Sequence, residues 1–271
     1  AGNAAFVAGE ANTASANYSS VSGGADNSAT GVCAQISGGG ENRAAGDYST
    51  VGGGGMNYAS GGKSTVAGGS DNEAYGLYAA IGGGLVNTAG DAAGDTCAVV
   101  AGGRGNQSVQ MYATVGGGTW NTAGGFGATV AGGGSNTAST YCAIGGGYNN
   151  AASAPYATVA GGGNNDAAAV NATIGGGDAN AASALSATVA GGAGNVAGDV
   201  AADTAATVAG GYGNVATAKF ATVGGGKNDT ASGDYATIGG GKGNLAGGQY
   251  AAVGGGYGNE ARGRQATIAG G

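Results

Sequence analysis

The chain has 271 residues, 68 of them Gly, one Pro and no His, with 8% charged residues and a formal net charge of −7. Collagen is excluded because Gly does not recur at every third position, and the acidic balance argues against nucleic acid or an anionic lipid surface as an electrostatic partner. Three Phe and one Trp, with mostly Ala and Val besides, are too little bulk for a compact globular core, and no apolar run approaches the roughly 20 residues of a membrane span.

Residues 1–17 read as an irregular first coil, since Asn3 precedes Val7 by four residues where nine is usual later in the chain. From there a unit of fifteen residues takes over, with the consensus Y-A-T-V/I-G-G-G-x-x-N-x-A-x-G-x. Its branched marker falls at Val7, Val21, Ile36, Val51, Val66 and Ile81, and after a four-residue insertion at Val100, Val115, Val130, Ile144, Val159, Ile174 and Val189, with steps of fourteen from Val7 to Val21 and from Val130 to Ile144. A second insertion precedes Val208, Val223, Ile238, Val253 and Ile268. Asn follows the marker by six residues in most units, for example at Asn57, Asn72, Asn87 and Asn121. A register kept this strictly predicts a solenoid, in which each turn of chain buries its few apolar groups against the next. The array runs without linker or change of composition, so a single repeat domain over 1–271 is expected.

Within one unit, Tyr-Ala-Thr-Val reads as a short strand, with Val/Ile and the Ala two before it inward and Tyr and Thr outward. The three glycines make a turn that needs positive φ or close backbone approach. Asn-x-Ala-x reads as a second strand with Asn and Ala inward, and the last Gly of the unit makes the second turn. The expected fold is therefore an all-β parallel solenoid, about 18 coils of 15 residues stacked roughly 4.8 Å apart. Like residues then form ladders. Val51, Val66, Ile81 and Val115 belong to the apolar one, and Asn57, Asn72, Asn87 and Asn121 to an amide one that must be hydrogen-bonded if it is buried. Tyr48, Tyr78, Tyr112, Tyr156, Tyr235 and Tyr250 form an aromatic stripe, which either marks an interface or lies flat and covers the coil.

The inserts Gly90-Asp-Ala-Ala-Gly-Asp95-Thr and Gly198-Asp-Val-Ala-Ala-Asp203-Thr carry paired aspartates, too few oxygens for a cation site, and read as solvated loops. Cys33 and Cys97 lie in the Tyr column, four coils apart. That is about 19 Å by strand spacing, too far for an intramolecular bridge. No signal peptide or initiator Met is visible, so the segment reads as a piece of something longer.

The unit resembles the head repeats of trimeric autotransporter adhesins of the YadA type, which read roughly S-V-A-I-G-x-x-A-x-A-x-G. Ala236-Thr-Ile238-Gly followed by Asn244-Leu-Ala246-Gly matches that layout, which also looks like stretches of phage tail fibres and large bacterial surface proteins. The resemblance covers nearly the whole chain. It implies a left-handed β-roll, three chains side by side, adhesion to matrix or host surfaces, and an extracellular, cell-surface or virion tail-fibre location.

The expected function is a non-catalytic structural or adhesive fibre segment. Its expected partners are further copies of the chain, as a homotrimer or an end-to-end filament, and a host, matrix or glycan surface. Neither catalytic residues, nor a cofactor, nor a metal site is expected. The acids Glu10, Glu41, Asp71, Glu73, Asp166, Asp178 and Asp229 are scattered, unlike the clustered carboxylates of a solenoid lyase or glycosidase. The alternative is ice binding by the Thr ladder, which includes Thr114, Thr129, Thr158, Thr173, Thr188, Thr207, Thr222 and Thr237. Bulky Tyr two residues away on the same strand counts against its flatness.

Overall fold

The computed structural model describes residues 2–199 and 204–271. They fall into two units, Ala1–Ser135 and Asn136–Gly271, and each is a parallel β-solenoid of about fifteen residues per turn. In the first unit one sheet has nine strands, from Phe6–Val7 to Thr129–Val130, and the other has eight, from Thr13–Ala14 to Thr122–Ala123. In the second unit the sheets run from Ala143–Ile144 to Thr267–Ile268 and from Thr137–Ala138 to Glu260–Ala261, nine strands each. No helix among the described residues is long and apolar enough to cross a membrane.

Register is exact along each ladder: Thr50 pairs with Thr65 and Val51 with Val66, and Tyr58 with Glu73 and Ala59 with Ala74. Val51, Val66 and Val115 are fully buried and Ile81 is 1% exposed. The interior holds little more than this Val/Ile column, the Ala columns and the Asn column. Such a thin core places much of the organisation on backbone hydrogen bonds. Residues 2–17 form a coil one residue short in its first turn. Its strands still pair in register, Phe6 with Ser20 and Val7 with Val21.

Three features differ from the sequence expectation. The strands are only two residues long, and the residue that turns the second corner is the Tyr column, not the unit's last Gly. Tyr48, Tyr78, Tyr112, Tyr235 and Tyr250 have φ near 60°, the left-handed region that costs an L-residue about 1–2 kcal/mol. The flipped peptide is tied backwards: Tyr48 N–H donates to Val32 O of the preceding coil at 2.8 Å, and Tyr78 N–H to Gly62 O at 3.0 Å. Strand amides such as Thr50 N–H instead donate forward, to Ser64 O at 2.9 Å.

The last difference is a third parallel row. Four residues after the marker, isolated bridges link Ala25, Gly40, Gly55, Ser70, Leu85 and Arg104 in the first unit, and Tyr148, Gly163, Asp178 and Ala193 in the second. The next residue is again left-handed, as at Met56 (φ 54°) and Asp71 (φ 54°). Gly54 (φ 87°), just before this row, has no room for a side chain, since a Cβ there would lie 2.0 Å from Gly69 O.

The first insert is absorbed at the second corner with strand pairing intact, Ala80 opposite Val99 and Ile81 opposite Val100. Asp95, 8% exposed, closes it by accepting from Asp91 N–H at 3.1 Å and Ala92 N–H at 2.8 Å. Hydrogen bonding to Asp95, with some burial, pushes the Asp91 carboxyl up. In the second insert, residues 200–203, Asp203 among them, lie outside the described residues.

Candidate functional site

The Asn ladder is structural in detail. The left-handed residue before each Asn turns the backbone so that the Asn N–H has no carbonyl of a neighbouring coil to meet. The side chain one coil earlier supplies the acceptor: Asn57 N–H donates to Asn42 Oδ1 at 3.0 Å and Asn72 N–H to Asn57 Oδ1 at 3.2 Å. The amide nitrogen faces the glycine turn. Asn57 Nδ2 donates to Gly53 O of its own coil at 2.9 Å and to Gly69 O of the next at 2.8 Å. Asn72, Asn87 and Asn121 repeat the pattern. One side chain thus satisfies three backbone groups around a turn made of glycine, which explains why Asn and triple Gly travel together. At Asp229 the ladder is imperfect. Its Oδ1 accepts from Asn244 N–H and Nδ2 at 2.7 and 2.9 Å, while its buried Oδ2 has no partner.

The tyrosines singled out in the sequence stand at the second corner and remain exposed: Tyr48 58%, Tyr112 52% and Tyr156 56%. In the second unit neighbouring rings stack face to face. Tyr156 lies 5.2 Å from Tyr141, Tyr235 5.1 Å from Phe220 and Tyr250 5.0 Å from Tyr235, all within 13° of parallel. The rings therefore cover one another's faces and present edges and hydroxyls outward. In the first unit Lys63 takes a place in the column, its Nζ donating to Tyr78 Oη at 2.9 Å; that bond raises the Lys63 pKa. The residue before the column adds exposed apolar side chains, Val32 and Leu77 in the first unit and Val170 and Leu185 in the second. Val170 and Leu185 line a shallow apolar groove with Ala154, Ala168, Ala169 and Ser183.

The Thr ladder lies on the flat of a sheet. Thr158, Thr173, Thr188, Thr207, Thr222 and Thr237 pair successively in register. The outward neighbour beyond the buried marker is only Ala or Gly, as at Ala160, Gly175 and Ala190. The column residue Tyr156 sits at the left-handed corner (φ 64°) and not on the strand, so a bulky ring on the same strand does not interrupt this face.

Cys142 is buried and its thiol is pushed up by that burial, whereas Cys33 and Cys97 are half-exposed and free. No three His, Cys, Asp or Glu side chains come together as a metal-binding group among the described residues. The sequence reading missed a further exposed column, Tyr212, Lys227, Lys242 and Tyr257, in the third parallel row. Only its spacing of fifteen residues signals it. Comparison with protein-family models and with curated proteins returns no match.

Proposed function

We propose that this chain is a non-catalytic structural and adhesive segment of an extracellular fibre, which associates with copies of itself along its aromatic corner. The observation that carries the reading is the exposed corner column, flanked by Val32 and Leu77 in one unit and by Val170 and Leu185 in the other. Exposed apolar surface in register over successive coils is characteristic of an interface. The thin Val/Ala interior supports the same reading, because burying the tyrosines against another copy adds the apolar bulk that one coil lacks. Sedimentation velocity and negative-stain imaging of the purified chain test it. The expected result is a trimer or filament that dissociates when Tyr156, Tyr235 and Tyr250 are replaced by Ser. A monodisperse monomer over a wide concentration range refutes it.

A second reading, ice binding, is favoured by the unbroken run of Thr in register from Thr158 to Thr237 beside a strip of Ala and Gly. Thermal hysteresis that is abolished by Thr188→Tyr would put this reading first; its absence removes it.

A further inference from the structure

Residues 205–271 hold five of the eight basic residues and only three of the fifteen acidic ones. Of those three, Asp229 is buried and Glu260 is paired with Arg262 at 2.8 Å. This basic region has a defined centre. Tyr212, Lys227, Lys242 and Tyr257 occupy the third parallel row in four successive coils, and Tyr212 and Tyr257 are 58% and 71% exposed.

The backbone beneath them is fixed on both sides. Lys227 N–H donates to Gly241 O at 2.9 Å and Lys227 O accepts from Gly243 N–H at 2.9 Å; Lys242 is held likewise by Gly256 and Gly258. The two ammonium groups point outward to the ends of the row, Lys227 Nζ lying 5.2 Å from the Tyr212 ring and Lys242 Nζ 5.3 Å from the Tyr257 ring. Each ring thus has a cation over it and still remains well exposed. Glycine flanks the row: a Cβ at Gly225, Gly243 or Gly258 would meet nothing within 4 Å. The four side chains form a ridge above bare backbone.

We propose that this Tyr–Lys–Lys–Tyr ridge binds an anionic polysaccharide, with a carboxylate or sulfate seated between Lys227 and Lys242 and pyranose rings stacked on the exposed Tyr212 and Tyr257. The two lysine stems rise one coil apart, about 4.8 Å by strand spacing; their ammonium groups rest on the outer rings, and the flexible four-carbon stems let both turn inward onto one anion. A linear polymer can engage a ridge one residue wide, whereas a membrane plane or a nucleic-acid duplex needs a broader basic face than two lysines provide. The proposal names a ligand for the adhesive role above and does not require self-association.

The test is binding of the whole chain to immobilised dextran sulfate and hyaluronate, with neutral dextran, single-stranded DNA and phosphatidylserine vesicles alongside, at low and high salt. Both anionic polysaccharides are expected to bind, more weakly as salt rises. The pair Lys227→Gln/Lys242→Gln should lose about ten-fold or more in affinity, and Tyr212→Ser/Tyr257→Ser a smaller amount, with Lys63→Gln unchanged. All these side chains are exposed, so circular dichroism should match the parent. Absence of polysaccharide binding, full binding by the double Lys variant, equal loss in Lys63→Gln, or tighter binding of DNA or vesicles overturns the assignment. Sedimentation of the same variants reports self-association separately, so failure of the ridge is distinguishable from failure of the fibre reading.

Discussion

Replacing Asn57 by Ala removes one rung of the amide ladder, and its effect can be worked from the bonds that rung makes. Gly53 O loses the Asn57 Nδ2 donor at 2.9 Å, the only hydrogen bond described for it. Asn72 N–H loses its acceptor at 3.2 Å, and Asn72 is fully buried. Gly69 O keeps the Gly55 N–H at 3.0 Å, and Asn72 Nδ2 keeps Gly68 O and Gly84 O, so these two groups are not orphaned. The buried Asn72 N–H left unsatisfied costs about 1–3 kcal/mol, and the bond lost at the half-exposed Gly53 O, which water can reach, adds about 0.5–1.5 kcal/mol, giving a loss of about 1.5–4.5 kcal/mol. Urea denaturation followed by far-ultraviolet circular dichroism measures the total, and hydrogen exchange over residues 53–72 shows whether the loss is local. Thr88→Ala, an outward position in the same sheet, is the control and should change stability by less than about 0.5 kcal/mol. A loss below about 1 kcal/mol for Asn57→Ala, with unchanged exchange protection, would refute the view that the ladder holds the glycine turn.

Asp229→Asn restores the missing donor of the ladder and should stabilise the second unit by about 1–3 kcal/mol, read as a higher urea midpoint. Ser49→Ala and Ser64→Ala remove buried hydroxyls that have no partner and replace them with the residue most coils use; thermal melts should show no loss or a gain of up to about 1 kcal/mol each. Gly54→Ala should destabilise severely, because its Cβ would meet Gly69 O at 2.0 Å, while Gly55→Ala, whose Cβ would meet only Gly40 O at 3.9 Å, should fold normally by circular dichroism. Under native conditions iodoacetamide should modify Cys33 and Cys97 well before Cys142, which is 1% exposed; mass spectrometry of the labelled chain checks the order.

Much of this architecture was legible because side chains carry it. The Val/Ile column and the Asn column had to be inward, since a branched residue and an amide recurring every fifteen residues have no other reason for constancy. The second corner was misread because φ near 60° is ordinarily left to Gly or Asn. Here Tyr48 and Tyr78 occupy it, with a bond to the previous coil offsetting the strain. The third row left only its spacing in the sequence and no residue type, because backbone atoms alone make it, so Gly40, Leu85 and Arg104 serve equally well. That freedom is also why the Tyr212–Tyr257 ridge could not be read as a surface until its four members were seen to be neighbours.

The first insert, closed by Asp95, shows where this scaffold tolerates novelty. Four extra residues enter at one corner, and Ala80 and Val99 still face each other as if nothing had been added. Length at that point is uncoupled from pairing elsewhere, so a foreign peptide spliced between Asp91 and Gly94 should be carried without disturbing the strands on either side. The molecule can vary its cargo there while its frame is conserved.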